Sequence, residues 1–432
     1  MGVNAMKNRE VLSTLFVGID VSSKFNEVCA IDFDETPYLQ TSVPNNNPGA
    51  TALAERLASI MQDNSALSRI VIALESTSCY STHIATFLSS TQILMPHKPY
   101  VYCLNPKTVA QYKKSYISVG KTDTIDAFMI ADFARVGRIK SEPWRGSQFL
   151  ALQRLTRHRL HLAEAVTREK TYMLTNIFLK FSELAAPTTT EKPFSSNYGA
   201  TAAAVLTEFL SPEDIVATPS SELVDFICRK SKNAFADPAK VASILKKAAN
   251  DSYRLDKCLY EPITISIASS FNCINAFEAE IKKINKAIEK AILGFNPNEY
   301  QSLISIPGIG PIFASAILAE IGSVKSFTSH AALAKYAGLV WNLNQSGNFQ
   351  AEDTILSKAG NRYLRYYLIE AANSVRIHSP VYYEFYNKKF DEVKTHQHKR
   401  ALALTSRKLI RLIFGLLDKN LLYSSIVEQT TS

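Results

Sequence analysis

Residues 12–20 read LSTLFVGID, a short apolar run that ends in an acid. Such a run predicts a buried β-strand, and it places Asp20 at the end of that strand. Residues 27–31 (EVCAI) alternate in polarity and predict a second strand, which pairs with the first across a short turn. Residues 69–75 (RIVIALE) repeat the first pattern and end in Glu75. Two predicted strands therefore end in acids.

Predicted helices alternate with these strands. Residues 49–63 have a helical pattern, residues 101–104 (VYCL) form another short strand, and a helix runs from Asp123 to about Arg138. Strands that alternate with helices indicate an α/β domain, here up to about residue 147. Asp132 interrupts the apolar stripe of the last helix, whose members are Ile125, Phe128, Met129 and Val136.

A pair of acids opens that helix. Asp123 and Asp126 lie in the stretch KTDTIDA (121–127), and their spacing puts both carboxylates on one helix face, one turn apart. Like charges at this spacing repel each other. Either Lys121 and solvent neutralise them, or a divalent metal ion does.

Together with the strand-end acids Asp20 and Glu75, this pair makes four carboxylates, which come from separate elements. Two Mg²⁺ ions about 3.5–4 Å apart would relieve their repulsion, activate a nucleophile and stabilise the leaving oxygen of a phosphodiester. The alternative interpretation is structural, because a strand-end acid is often a turn residue and a D-x-x-D pair is often a solvated helix start. Spacing alone leaves both interpretations open.

Two long helices are predicted beyond this domain. Apolar residues recur at near-helical intervals over 148–185 and again over 268–294. The two helices pair either as an antiparallel coiled coil or within an ordinary helical core. Between them, residues 187–264 contain the helix-start signatures SPED, TPSSE and DPAK, which predict a small helical insert of unknown role.

The last domain begins near residue 296. Residues 303–322 (LISIPGIGPIFASAILAEIG) have the pattern of a helix-hairpin-helix, in which Gly308 and Gly310 let the backbone approach a phosphate. A plain turn between two helices is the alternative. A β-hairpin is predicted around residues 341–350. The basic stretch that follows offers contacts to a nucleic-acid backbone, or an ordinary polar helix face, through Asn361, Arg362 and Arg365.

Composition indicates the kind of partner and the compartment. The 432 residues carry a formal net charge of +9 with a pI near 9.0, which favours a polyanionic partner, nucleic acid before a membrane surface. The six cysteines contain no C-x-x-C pair, so we expect mostly buried, reduced thiols and no zinc site. No apolar run approaches the ~20 residues of a membrane span, and the N-terminus has no signal-peptide core. We expect a soluble cytoplasmic protein.

Six stretches together resemble the insertion-sequence 110 family of DEDD transposases, which includes the Piv-type DNA invertases and the RNA-guided bridge recombinases. The resemblance covers about residues 12–180 and 296–380 in the order of the family, and 187–264 has no match. Each stretch alone is weak, but the combination is specific. The stretches are GIDVSSK (18–24), LESTSCY (74–80), KTDTIDAFMIADFA (121–134), IPGIGPIFASAILAEIG (306–322), YAGLVWNLNQSG (336–347) and SKAGNRYLRYYL (357–368).

The resemblance implies a RuvC-like (RNase H-type) α/β domain followed by a mostly helical transposase domain. Asp20 matches the first acid of the family, Glu75 the second, and Asp123 and Asp126 the closing D-x-x-D. These four residues would bind Mg²⁺, or Mn²⁺ in its place, and would be catalytic. The implied domains are 12–147 (catalytic), 148–186 and 265–295 (coiled-coil arms), 187–264 (insert) and 296–425 (C-terminal transposase domain).

The family is also understood to use a serine nucleophile that forms a covalent phosphoserine link with DNA. Ser346, in the stretch NQSG, is the best match, and a serine next to Gly347 in a hairpin loop is sterically open. Without the family resemblance, a Ser-Gly pair most often indicates a turn. Ser357 is the second choice and is more typical of a helix cap.

The resemblance further implies the partners: DNA at the element ends and at a target, a structured non-coding guide RNA, and other copies of the chain in a dimer or tetramer. The expected setting is the cytoplasm of a bacterium or archaeon, at the nucleoid, with no membrane. Lys121 would contact a DNA phosphate or balance the acids. The residues expected to bind nucleic acid are Lys121, Gly308, Gly310, Asn361, Arg362 and Arg365.

Two other functions stay open at this point. A RuvC-like junction resolvase would use the same acids with water as the nucleophile, and substitution of Ser346 by alanine would spare it. A non-catalytic regulator, such as a degenerate transposase that only binds nucleic acid, would work without Mg²⁺. The presence of all four acids argues against this second alternative.

Overall fold

The computed structural model describes residues 10–116, 123–139, 143–294, 297–342, 345–346, 349–350 and 355–424. The described residues form two compact units. One unit contains those up to Gln153 and those from Gly294 onward, and the other contains Arg154–Leu293. The finer division into a catalytic domain, two arms, an insert and a C-terminal domain stays a prediction.

A five-stranded mixed sheet forms the centre of the N-terminal part of the first unit. Its order is β3-β2-β1-β4-β5, with β2 antiparallel to β1 and β3, and with β4 parallel to β1 and β5. The four predicted strands are confirmed. The sequence pattern did not predict β3, because most side chains of this edge strand are exposed or half-buried. The strands are β1 (Thr14–Val21), β2 (Phe25–Ile31), β3 (Pro37–Pro44), β4 (Arg69–Glu75) and β5 (Tyr100–Leu104).

Helices cover both faces of this sheet. Alternate residues of β1 point to opposite faces. Val17 and Ile19 belong to a core that includes buried residues of α1 and α2. Phe16 belongs to a second core, with Val109 of α3 and Ile130 of α4. The N-terminal part of the chain is therefore an α/β domain, as predicted. Its helices are α1 (Asn47–Asp63), α2 (Tyr80–Ser90), α3 (Pro106–Lys113) and α4 (Asp123–Arg135).

Gly18 brings α4 into direct contact with β1. A Cβ atom added at Gly18 would lie 2.1 Å from the carbonyl oxygen of Ala127 and 2.3 Å from the backbone nitrogen of Ala131. Backbone atoms of a packed helix cannot move aside as a flexible side chain can. Only glycine therefore permits the observed distance between the strand and the helix.

Two long helices, α5 (Ser147–Lys180) and α11 (Lys257–Ile292), account for the predicted long helical patterns. Within the second unit they run antiparallel, because contacts that advance along one helix recede along the other. Arg159 Nε donates to Asn285 Oδ1 at 2.7 Å, and Ser270 Oγ donates to Glu169 Oε1 at 2.6 Å. Helix α11 begins before the predicted residue 268 and continues through Pro262.

Short helices occupy much of residues 187–264, where the sequence has helix-start signatures. Ser211 begins α8 with a capping box, and Asp237 caps α10 through the backbone nitrogen of Lys240. Buried residues of these helices share one core with Met173 of α5 and Ile267 of α11, so this part of the long helices packs in an ordinary helical core. The short helices are α6 (Ser182–Ala185), α7 (Ala200–Glu208), α8 (Pro212–Ala217), α9 (Ser220–Ser231) and α10 (Pro238–Asp251).

The C-terminal part of the first unit is mostly helical. The predicted helix-hairpin-helix corresponds to two helices joined by the turn 305–310, and the predicted hairpin corresponds to two short strand pairs, β6 with β9 and β7 with β8. The helices are α12 (Pro297–Ile304), α13 (Pro311–Ile321), α14 (His330–Tyr336), α15 (Arg362–His378), α16 (Pro380–Asp391) and α17 (Gln397–Lys419). The strands are β6 (Trp341–Asn342), β7 (Gln345–Ser346), β8 (Phe349–Gln350) and β9 (Ile355–Leu356).

The expectation of mostly buried cysteines is wrong. Cys29 is buried, but Cys79, Cys258 and Cys273 are exposed. Cys258 and Cys273 lie on α11, where the polar face of an amphipathic helix also accommodates small side chains. None of the helices in the described residues combines the length and the apolar character needed to cross a membrane.

Lys180 is a fully buried cation in the second unit. Its ammonium group donates to the carbonyl oxygen of Leu206 at 2.7 Å and to Thr264 Oγ1 at 2.6 Å. Burial lowers the pKa of Lys180 to about 8, although the charge of Asp214 opposes this shift. The folded chain therefore releases this proton at a lower pH than the unfolded chain.

We expect Gly18→Ala to reduce the free energy of unfolding by about 2–3 kcal/mol, because the added methyl group overlaps the backbone of α4. Denaturant unfolding measures the loss. Gly415→Ala on α17 is the matched control, since its added Cβ meets nothing within 4 Å, and we expect it to be neutral or slightly stabilising. Equal stability of the two variants would contradict the close contact of α4 with β1.

We expect the stability of the second unit to rise between pH 8 and about pH 10.5. In that range the unfolded chain still binds the Lys180 proton and the folded chain does not, so the gain approaches about 3 kcal/mol. Denaturant unfolding of the full chain at several pH values measures the rise. Lys180→Met should abolish it, whereas the exposed Lys192→Met should not. A rise that is the same in wild type and Lys180→Met would refute the assignment to Lys180.

Candidate active site

Asp20 and Glu75 lie at the ends of adjacent parallel strands. The register pairs Gly18 with Ala73 and Ile19 with Leu74, so the next residues, Asp20 and Glu75, come side by side. Side chains two residues apart on a strand share a face. Asp20 therefore points to the side of Gly18, which is the face that α4 covers.

The first turn of α4 carries the other two predicted acids. Asp123 begins the helix and is exposed, whereas Asp126 precedes Ala127, the residue in contact with Gly18, and is mostly buried. Asp126 and Asp123 both lie close enough to Asp20 for their charges to act on its carboxyl group. The structure thus brings the strand-end acids Asp20 and Glu75 near the acid pair of α4, although these three elements are far apart in the sequence.

Lys113, the last residue of α3, lies among these acids. Its Nζ is 3.0 Å from Asp126 Oδ1 and 3.8 Å from Glu75 Oε2. Its charge also acts on the carboxyl group of Asp20. Lys113 has no signal in the sequence, because a lysine within YKKSY (112–116) has no local feature that relates it to strand ends.

The electrostatics of the site follow from burial and like charge. Burial raises the pKa of Asp20 above its ordinary value, the ammonium group of Lys113 lowers it, and the charges of Asp126 and Asp123 raise it further. Burial likewise raises the pKa of Glu75, again against Lys113, with Asp20 and Asp126 adding to the rise. The cluster therefore favours a positive charge at its centre.

The donor set has the chemistry of a Mg²⁺ or Mn²⁺ site. Carboxylate oxygens are the ligands that these ions prefer, and rigid elements carry all four groups. In the described parts of the chain, no three His, Cys, Asp or Glu side chains approach closely enough to share one ion. The cation between Glu75 and Asp126 is the ammonium group of Lys113. The residue types fit a divalent ion, and the present arrangement balances the charge with a lysine.

A buried network joins α3 to α4 near this site. Asp132 is fully buried and accepts hydrogen bonds from Tyr112 Oη at 2.5 Å, from Tyr116 Oη and from Arg135 Nε at 2.7 Å. Arg135 also contacts Glu35. Burial acts to raise the pKa of Asp132, but the hydrogen bonds from the tyrosines and Arg135 lower it overall. The network fixes the end of α3 that carries Lys113.

The structure describes the predicted nucleophile only through its backbone. Ser346 lies in β7 and pairs with Phe349 of β8, which confirms a hairpin at this position. The position of its side chain lies outside what the structure describes. Lys121 lies outside the described residues.

Two residues predicted to bind nucleic acid have structural contacts. Asn361 caps α15 by accepting from the backbone nitrogens of Tyr363 and Leu364, and its amide donates to Glu320 Oε2 at 2.7 Å. Arg365 Nη1 donates to the carbonyl oxygens of Ala337 and Lys358. The expectation that Ser357 caps a helix is wrong, because Asn361 occupies that position and Ser357 accepts from Ala359 in a turn.

The two glycines of the PGIG turn differ. Gly308 has a φ of +94°, and a Cβ there would meet the backbone of Val375 at 2.8 Å, so close packing explains this glycine. Gly310 precedes α13, and a Cβ there would meet nothing within 4 Å. Arg362 begins α15 with its guanidinium group 5.3 Å from the ring centre of Tyr363. A nucleic-acid role for these residues stays a prediction.

Comparison with known proteins matches both ends of the chain. Residues 17–179 match a family model of IS110-type DEDD transposases, and residues 300–387 match the model described as Transposase IS116/IS110/IS902 family. Together the two matches cover more than half of the 432 residues.

Curated relatives agree with these matches. The 42 kDa protein of insertion element IS900 from Mycobacterium paratuberculosis is 28% identical over 321 residues, which cover 73% of this chain and 76% of that protein. The 44.8 kDa protein of insertion element IS116 from Streptomyces clavuligerus is 23% identical over 94% of this chain and 96% of its own length. The transposase of insertion sequence element IS1111A from Coxiella burnetii is 31% identical over 29% of this chain and 30% of that protein.

The α/β domain with its strand-end acids, followed by the matched C-terminal domain, defines a transposase. The chain belongs to the IS110 family of insertion-sequence transposases. Membership implies DNA as the substrate.

We expect Asp132→Asn to reduce the free energy of unfolding by about 2–4 kcal/mol, because Arg135 and two tyrosines lose a buried charged partner. Hydrogen exchange of α3 and α4 should increase, and denaturant unfolding measures the loss. The exposed Asp34→Asn serves as the control and should change little. If exchange in α3 is unchanged by Asp132→Asn, the network does not hold that helix in place.

Proposed function

We propose that this IS110-family transposase is a site-specific DNA recombinase that cuts and rejoins DNA through a serine-linked intermediate. The observation that most supports the proposal is that Asp20, Glu75 and Asp126 lie near one another at the end of the sheet, with Glu75 and Asp126 in contact with the Lys113 ammonium group. A buried group of like charges is costly for folding alone, which favours a catalytic role.

In this proposal Asp20, Glu75, Asp123 and Asp126 hold Mg²⁺, or Mn²⁺ in its place. When bound, the ion would polarise the phosphodiester and stabilise the leaving oxygen. The chain supplies rigid positions for the ligands, two at strand ends and two in the first turn of α4. We further propose that the N-terminal domain is RuvC-like, and the mixed sheet with helices on both faces supports this assignment.

Ser346 is the proposed nucleophile. Its hydroxyl oxygen attacks phosphorus, and the new Oγ–P bond replaces the bond from phosphorus to a sugar oxygen of the DNA. The serine loses its proton and the leaving oxygen gains one. Because the phosphoserine link retains the energy of the phosphodiester, the hydroxyl of another strand can reverse the step with no outside energy source.

The proposal includes a guide RNA and self-association. The net charge of +9 supports binding of polyanions. Base pairing between a structured non-coding RNA and DNA would choose the sequence, while the protein reads RNA shape. A dimer or tetramer would allow carboxylates and serine to come from different subunits. Lys121, Gly310 and Arg362 are the proposed phosphate contacts.

Covalent trapping tests this chemistry. Purified protein, Mg²⁺, labelled element-end DNA and the co-purified RNA are separated on a denaturing gel, next to Ser346→Ala and Asp123→Ala. We expect a protein-linked DNA band in wild type and at least about 100-fold less in both variants, because each removes a group used in the chemical step.

The other outcomes identify the alternatives. Free cleaved DNA that persists in Ser346→Ala would indicate a hydrolytic junction resolvase, in which water is the nucleophile. Binding of DNA and RNA without cleavage, independent of Mg²⁺, would indicate a non-catalytic regulator. Omission of the RNA tests guidance separately, since an unguided enzyme would retain the band.

A further inference from the structure

The Lys113 side chain occupies the space between the candidate metal ligands. Its ammonium group contacts Asp126 at 3.0 Å and Glu75 at 3.8 Å, and its charge acts on Asp20. The side chains of Lys113, Glu75 and Asp126 are 24%, 19% and 18% exposed, so water screens their charges only in part.

The fold builds this position. Val109, one turn before Lys113 on α3, is fully buried in the core beneath α4. Tyr112 and Tyr116, on either side of Lys113, donate to Asp132 of α4. The backbone of Lys113 is thus held firmly, whereas its four-carbon side chain can change rotamer and carry the ammonium group away.

An ammonium group and a divalent ion compete for the same oxygens. A cation at hydrogen-bond distance from Asp126 repels a second, doubly charged cation that binds the same carboxylate. The carboxylates, in turn, repel one another when neither cation is present. Either the ammonium group of Lys113 or the divalent ion relieves this repulsion, but not both at once.

We propose that Lys113 is an internal competitor of the divalent ion: its ammonium group holds the carboxylates together in the metal-free protein and must leave when the ion binds. This inference rests on the proposed function, because it takes the four acids as the metal ligands. Two consequences follow. Lys113 lowers the affinity of this chain for the ion, and it stabilises the metal-free fold.

Titration calorimetry with Mn²⁺ alone tests the proposal on the full-length protein. We expect Lys113→Met to bind Mn²⁺ about ten-fold more tightly than wild type, since the competing charge is gone. Lys113→Arg should retain wild-type affinity. Lys114→Met is the matched control, because Lys114 is the next residue and is exposed, and its affinity should stay within about two-fold of wild type.

Thermal unfolding gives a second readout that does not depend on activity. Without metal, Lys113→Met should unfold at a lower temperature than wild type, and saturating Mn²⁺ should restore more stability to the variant than to wild type. If Lys113→Met does not fold, Lys113→Gln, which keeps a hydrogen-bond donor without the charge, makes the same comparison.

Asp126→Asn separates the two ideas. If wild type and Lys113→Met bind Mn²⁺ equally, while Asp126→Asn binds it weakly, the competition is refuted and the proposed metal site stands. If Asp126→Asn binds Mn²⁺ as well as wild type does, the proposed metal site fails, and the role of Lys113 fails with it.

Discussion

The backbone of α4 packs directly on the backbone of β1, because Gly18 has no side chain that would keep the strand away from Ala127 and Ala131 of the helix. This contact sets the distance between Asp126 on the helix and Asp20, two residues beyond Gly18 on the strand. The parallel register of β1 and β4 then adds Glu75 at the neighbouring strand end. Carboxylates from three elements lie near one another because Gly18 has no Cβ atom and because β1 and β4 pair in this register.

Such a cluster of carboxylates needs an opposing positive charge. Burial raises the pKa values of Asp20 and Glu75, and Lys113 supplies the opposing charge. The same helix that brings Asp126 to the site also holds Lys113 there, since Asp132, nearly two turns along α4, binds the tyrosines that flank Lys113. The acids of the first turn of α4 face the site, while the acid of its third turn secures the neighbouring helix.

In the C-terminal part of the chain, several groups suited to bind phosphate have a role in the fold. The side chain of Asn361 accepts backbone N–H groups as a cap, and Arg365 donates to two backbone carbonyls. Gly308 permits close packing on α15. The guanidinium group of Arg365 is suited to both tasks because a phosphate oxygen and a backbone carbonyl oxygen attract the same donors. A motif of such residues therefore identifies the family more reliably than it identifies a contact with nucleic acid.

Local patterns suffice to predict the buried strands, the acids at their ends, the D-x-x-D pair and the helix starts at Ser211 and Asp237. In each case the residues that interact lie within a few positions, and hydrophobic period and capping chemistry act at that range. Only the packed chain reveals Lys113, Asp132 and the need for glycine at position 18. Lys113 meets Glu75 and Gly18 meets Ala127 across dozens of residues, and Asp132 binds Tyr112 and Tyr116 from 20 and 16 residues away. Strand order and helix packing create those contacts, and no local repeat in a sequence encodes them.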